Sequence, residues 1–278
     1  MKYNKESGDF FKWFREYVSS FYCDNEVINR NIKIKEGHTL RVVQNVRELL
    51  RSNNINEEIS ELSVLIALFH DIGRFEQYKK YGTFNDKVST DHAKLGVHVL
   101  RENSVLSSLS ERKIHLITNT ILFHNKKDLY SKSKDQDLIL LSKLIRDSDK
   151  LDILKILTES FLDPDRYVNP ALSLDLPEKN EFSRYSVKEF FNNKPLDNKK
   201  IENQADFKLL LISWIYDLNF YQTLIMIIEK KYIKSLFSVL PQNDLLEKMK
   251  THTFDFIKKK LHLHQTGSRE LYGNFDLL

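Results

Sequence analysis

The sequence predicts an all-α fold, and three observations carry that reading. Turn formers are scarce, with 7 Gly and 5 Pro in 278 residues, whereas strand-rich folds need many tight turns. Apolar residues recur at helical spacing along most of the chain. The composition, 41% hydrophobic and 29% charged, is that of a globular protein with one large domain or two small ones.

The elements follow in order. Phe10, Phe14, Tyr17, Val18 and Phe21 predict an amphipathic opening helix over residues 10–22. A second helix is expected from about His38 to Arg51, with Leu40, Val43, Val46 and Leu50 inward. A third, from Asn56 to Asp71, is almost wholly apolar over Leu62–Phe69 and so buried on most sides. Gly73 is placed to end it in the left-handed conformation. Residues 78–90 read as a polar loop, and a helix follows from Asp91 to about Glu102. Ser110 caps the next, whose stripe is Ile114, Ile117 and Ile121. After a charged loop at 125–135, a helix over 137–160 turns Leu141, Leu144, Ile145, Ile153 and Ile156 inward. Four of the five prolines fall in 163–203, which reads as an irregular excursion, a lid or a linker. About three more helices lead to His264, then a polar tail.

Composition also limits function. The lone Cys23 excludes an internal disulfide framework or a thiolate metal cluster within one chain, and fits a reducing cytoplasm. A net charge of +4 and the single triplet Lys258–Lys260, read as a solvated helix face, give nucleic-acid binding little support. No apolar signal segment opens the chain. The most apolar stretch, Phe207–Ile228, carries Lys208, Asp217, Asn219 and Gln222, which are costly in hydrocarbon. A cytoplasmic protein without a membrane span is expected.

Histidines and aspartates at the helix ends hold the chemistry. They run His38, His70-Asp71, His92, His124 and Asp149. Asp71 closes a buried helix, where an ionised carboxylate needs a partner: a divalent cation or Arg74. Asp149 lies four residues from both Ile145 and Ile153, so it falls on an apolar stripe. Asp147 and Asp152 point elsewhere and read as supporting or surface residues. Two carboxylates and several imidazoles in an apolar helical core suit a borderline transition metal.

The segments EGHTLRV, ALFHDIGRFEQ, DHAKLGVHVL, ILFHN and IRDSDKLDIL together resemble the HD-domain superfamily of metal-dependent phosphohydrolases. The resemblance spans roughly residues 30–160. It implies an HD-domain helical core at 30–162, a packed N-terminal helix at 1–29, a helical extension at 163–264 supplying a substrate pocket or lid, and a tail at 265–278. Carried over by residue, it implies His38, His70, Asp71 and Asp149 as core metal ligands. His92 and His124 match positions that bind a second metal in a subset that includes cyclic dinucleotide phosphodiesterases of the HD-GYP type and symmetrical dinucleoside tetraphosphate hydrolases. The chain lacks a GYP motif and has Asn125 where a second histidine is usual, so cyclic di-GMP is not the expected substrate. His98, His115, His252, His262 and His264 have no place in the pattern and read as structural or exposed.

The resemblance therefore implies two divalent transition metals, manganese or iron foremost and cobalt, nickel or zinc also compatible. They would be held about 3.5–4 Å apart, with Asp71 bridging. The expected reaction is hydrolysis of a nucleotide or related small phosphoester by a metal-activated water. Arg74 is expected to clamp phosphate, its other reading being an ion pair with Asp71 or Glu76, and Lys150 is a second substrate-binding candidate. Two further classes stay open: a mixed-valent diiron oxygenase using the same ligands, and a non-catalytic nucleotide sensor.

Overall fold

A computed structural model describes residues 5–126, 133–164 and 176–267, and no strand occurs among them. The chain divides into two compact units, Met1–Ile153 and Leu154–Leu278.

The first unit begins with α1 (Lys5–Ser19), whose aromatic face meets the apolar helix α3 (Glu57–Phe69): Phe10 and Trp13 both stand edge-on to Phe69. α2 spans Glu26–Ser52 and is capped by Asn25, whose side chain accepts from the backbone of Val27 and Ile28. It starts twelve residues before the expected position, so His38 lies in mid-helix and does not open it. A cap and acidic first turn ahead of a polar, lysine-bearing stretch outweigh the weak apolar periodicity there. Leu40 is exposed and the inward stripe is Val42, Val43, Val46, Leu49 and Leu50, which lie on the His38 side of the helix. Asn56 caps α3, and every residue from Leu62 to Phe69 is buried, because α3 packs against α1, α2 and α6.

His70, Asp71 and Ile72 form a tight right-handed junction into α4 (Gly73–Tyr81), with the amide of Arg74 donating to Asp71 O at 2.9 Å. Gly73 thus begins a helix and does not end one. Its missing Cβ matters for another reason: a Cβ there would lie 2.2 Å from His92 O and 2.5 Å from Gly96 N. Gly73 lets α4 approach α5 (His92–Glu102) at backbone distance. The left-handed position belongs to Gly82, φ 65°, which ends α4 within the stretch expected to be loop.

Asp91 caps α5 and Ser110 caps α6 (Glu111–Phe123), where Ile117 and Ile121 are buried and Ile114 is half-buried. α7 (Gln136–Leu162) buries Leu141, Leu144 and Ile145 as expected, then Leu151, Leu154 and Leu157, with Ile153 and Ile156 half-buried. The boundary between the two units falls inside this helix, so its ends belong to different cores and one stripe cannot fill both.

The second unit contains α8 (Arg184–Phe191), α9 (Gln204–Ser213), α10 (Tyr221–Glu229), α11 (Tyr232–Ser238) and α12 (Asp244–Gly267). α8 and a short 3-10 turn at Asn198–Lys200 lie within the expected irregular excursion, of which residues 165–175 fall outside the described residues. Residues 127–132 of the charged loop and 268–278 of the tail also fall outside. Phe190, Phe191, Tyr216, His252 and Phe256 form one ring cluster, and Asp206 is buried, accepting from Ser183 and Glu202 amides. Among the described residues no helix is long and apolar enough to cross a membrane.

Candidate metal centre

Residues of the first unit, on α2, the α3–α4 junction, α5, α6 and the first part of α7, bring six side chains to one place. α2 carries His38 in mid-helix, and the α3–α4 junction presents His70 and Asp71. α5 presents His92 at its first residue, α6 ends on His124, and α7 carries Asp149. The four imidazoles and Asp71 are buried.

The donors fall into two groups. In the first, His38 Nε2 lies 3.3 Å from His70 Nε2 and 3.2 Å from Asp149 Oδ1, with His70 Nε2 3.9 Å from that oxygen. In the second, His92 Nε2 lies 3.2 Å from His124 Nε2 and 3.3 Å from Asp71 Oδ1, with His124 Nε2 3.9 Å from that oxygen. Each group has the donor spacing of a site that could hold a metal ion. Asp71 lies between them: Oδ1 faces the second group, while Oδ2 is 3.5 Å from His38 and 3.8 Å from His70.

Each imidazole is oriented through its other nitrogen. Nδ1 of His38 meets Asp152 Oδ2 at 2.7 Å, and Nδ1 of His92 meets Asp86 Oδ2 at 2.6 Å. His70 and His124, each closing a helix, turn Nδ1 back to the carbonyls of Ala67 at 2.8 Å and Ile121 at 2.7 Å. In a neutral imidazole an acceptor at Nδ1 fixes the proton there and leaves the Nε2 lone pair for the cluster. Each group therefore contains one carboxylate-held and one carbonyl-held histidine.

The outer carboxylates are held in turn. Arg41 Nε and Nη2 both donate to Asp152. Arg74 Nη1 donates to Asp86, to the carbonyl of Phe84 and to Gln77, and Gln77 Nε2 donates to Asp86 at 2.9 Å. Arg74 Nε faces Asp71 Oδ1 at 3.5 Å. One of the two partners weighed for it, Asp71, is close, but its nearest anion is Asp86.

Electrostatics follow from this packing. Burial pulls His92 down to about 4, with Arg74 adding to the effect, and burial likewise lowers His70 and His124. These three are neutral near pH 7 and can offer lone pairs. Burial and Lys35 also pull His38 down, but Asp149 and Asp152 on either side outweigh them and raise it to about 9. Burial opposes ionisation of Asp71, yet Lys35, His70 and Arg74 together hold it well below the usual carboxylate range. Asp149 is lowered against its burial by the hydrogen bond from His38.

All six expected ligands are thus brought together. Lys150 is buried beside Asp149, and Asp147 is also buried, not at the surface. Asp152 is a supporting residue, reached through His38. His98 is exposed and pairs with Glu102, His115 and His262 are exposed, and His252 sits in the second unit's ring cluster. The side chain of His264 lies outside the described residues.

Lys35, Asp86 and Gln77 escape the sequence reading. Lys35 Nζ lies 2.9 Å from Asp71 Oδ2, and its position three residues before His38 would have put it on the same helical face. Asp86 and Gln77 carry no comparable signal, because Asp86 sits in a loop whose path depends on its contacts.

Residues 36–154 match the family model of the HD domain. No curated protein and no solved structure matches the chain.

Proposed function

Residues 36–154 match the HD domain, and from that premise we propose that the chain is a metal-dependent phosphohydrolase of the HD superfamily, hydrolysing a phosphoester of a nucleotide or related small molecule at a dinuclear centre. The observation that carries this reading is the division of Asp71, one oxygen toward each donor group. In it, His38, His70 and Asp149 would hold one ion and His92 and His124 the other, with Asp71 available to both groups.

The donor set suits such ions. Nitrogen and carboxylate oxygen donors without thiolate favour manganese or iron, and are compatible with cobalt, nickel or zinc. Nδ1 of each histidine is already committed, so its Nε2 is pre-oriented. His38 lies between Asp149 and Asp152, at 3.2 and 2.7 Å, and a metal at its Nε2 would displace the proton that these carboxylates favour.

When bound, two divalent ions supply an acidified water and neutralise charge on phosphoryl oxygens. The protein supplies the geometry. Asp71 and Asp149 bring the negative charge, Asp71 buried and Asp149 half-buried. Arg74, beside Asp71 Oδ1, offers its guanidinium to phosphate, and Lys150 is a second candidate.

The test is Mn²⁺- or Fe²⁺-dependent release of phosphate or nucleotide from a nucleotide panel, or turnover of an aryl phosphodiester. Asp71→Ala is expected to abolish turnover and lower bound metal while the far-ultraviolet helical signal persists. Full activity of that variant with Mn²⁺ supplied would remove the proposed site. No phosphoester turnover, together with substrate-dependent oxygen uptake, would instead favour diiron oxygenase chemistry.

A further inference from the structure

We infer that Lys35 is a phosphate-binding cation of the site beside Arg74 and that, until a metal binds, it occupies Asp71 in competition with that metal. This rests on the metal reading above and assigns a residue that the HD signature does not name.

Lys35 Nζ lies 2.9 Å from Asp71 Oδ2, with the lysine side chain 19% exposed and the aspartate 5%. That oxygen also faces His38 and His70 at 3.5 and 3.8 Å. Lys35 therefore stands on the carboxylate oxygen that the first donor group would share with an ion. An ammonium and a divalent cation on one carboxylate oxygen repel strongly, because a buried site screens charge poorly. Binding of a metal must weaken the Lys35–Asp71 pair.

The ammonium then needs another anion nearby. Its four-carbon stem lets it turn without moving α2, and its partial exposure places it at the edge of the cluster, open to a ligand arriving from solvent. Its other close neighbour is the face of Phe84, 5.4 Å from Nζ to the ring centre, and Phe84 is itself stacked on Tyr78 with centroids 4.7 Å apart. An aromatic face can hold the ammonium near the site but cannot neutralise it. A phosphoryl group delivered to the metals supplies the missing negative charge. Arg74 flanks Asp71 Oδ1 as Lys35 flanks Oδ2, but the Arg74 guanidinium is braced by Asp86, Gln77 and the Phe84 carbonyl. Lys35 is the more readily released of the two.

The experiment compares wild type, Lys35→Met and Lys35→Arg after removal of metal with a chelator and desalting. Mn²⁺ affinity is measured by calorimetry, melting temperature with and without Mn²⁺, and steady-state kinetics with bis(p-nitrophenyl) phosphate. Lys35→Met is expected to bind its tightest Mn²⁺ roughly 5- to 50-fold more firmly, since the competing charge is gone. It should gain more melting temperature from Mn²⁺ than wild type does. Its kcat/KM should fall about 10- to 100-fold, mainly through KM, as expected for a lost charge-assisted contact to phosphate. Lys35→Arg should restore KM toward wild type. A purely structural lysine would weaken metal binding and turnover together. Mn²⁺ affinity in Lys35→Met that is unchanged or weaker, with wild type binding metal normally, overturns the competition. An unchanged KM overturns the phosphate role. A wild-type chain that binds no Mn²⁺ removes the metal reading itself and this inference with it.

Discussion

Around His38 the outer carboxylate is Asp152, on helix α7 and 1% exposed; around His92 it is Asp86, in the loop after α4 and 31% exposed. Both are held by an arginine, Arg41 in one case and Arg74 in the other. The chemistry of the two halves is the same, and the difference lies in what carries it. A helix fixed by core packing holds its side chains more firmly than a loop held by polar contacts from Arg74 and Gln77. The His38 half is thus the stiffer donor set. In a stepwise Mn²⁺ titration it is expected to fill first, with the His92 half the weaker site.

The strongest break in that comparison is His124→Ala. It removes a donor from the softer half alone, so elemental analysis should fall from two ions per chain to one, with most turnover lost. Retention of two ions would show that His124 is not a ligand, and a metal-replete structure with His92 and His124 turned to solvent would leave a one-metal hydrolase.

Arg74→Ala comes next. As a phosphate clamp it should lower turnover of an aryl phosphodiester by roughly 10- to 1000-fold, equivalent to about 1.5–4 kcal/mol. Its contact with Asp86 supplies a control. If Arg74 acts only by bracing the loop, Asp86→Ala will match its loss, and the double variant will add nothing.

The smallest effect is expected from Asp86→Ala itself. Loss of an outer carboxylate costs about 10- to 100-fold in metal affinity, and here the loss should fall on the second ion only. Asp152→Ala should act on the first ion instead. Equal weakening of both ions by either variant would mean that the halves are not separate sites.

Much of this architecture was readable locally. The caps at Asn56, Asp91 and Ser110 occur where helices α3, α5 and α6 begin, because capping is satisfied within one turn of chain. The continuous apolar run of α3 announced its burial. His92 and His124 fell at helix termini in sequence and do so in space. Local signals mislead where the deciding contact is distant. Gly73 looked like a helix stop, since glycine serves that end so often. Its actual constraint is the backbone of His92 and Gly96 on another helix. Leu40 looked inward from its spacing, but α2 turns a neighbouring face to the core.

What the sequence determined by itself, then, is the helical class, the starts of α3, α5, α6 and α7 and the six residues worth watching, because periodicity, caps and motif spacing are local properties of the chain. Only the tertiary structure decided how those residues are used. It paired His38 with Asp152 across 114 positions and Lys35 with Asp71 across 36, and turned the two oxygens of Asp71 toward different donor groups. Contacts of that kind depend on which helix faces pack together, and burial then makes each charge answer to whichever partner lies within a few ångströms.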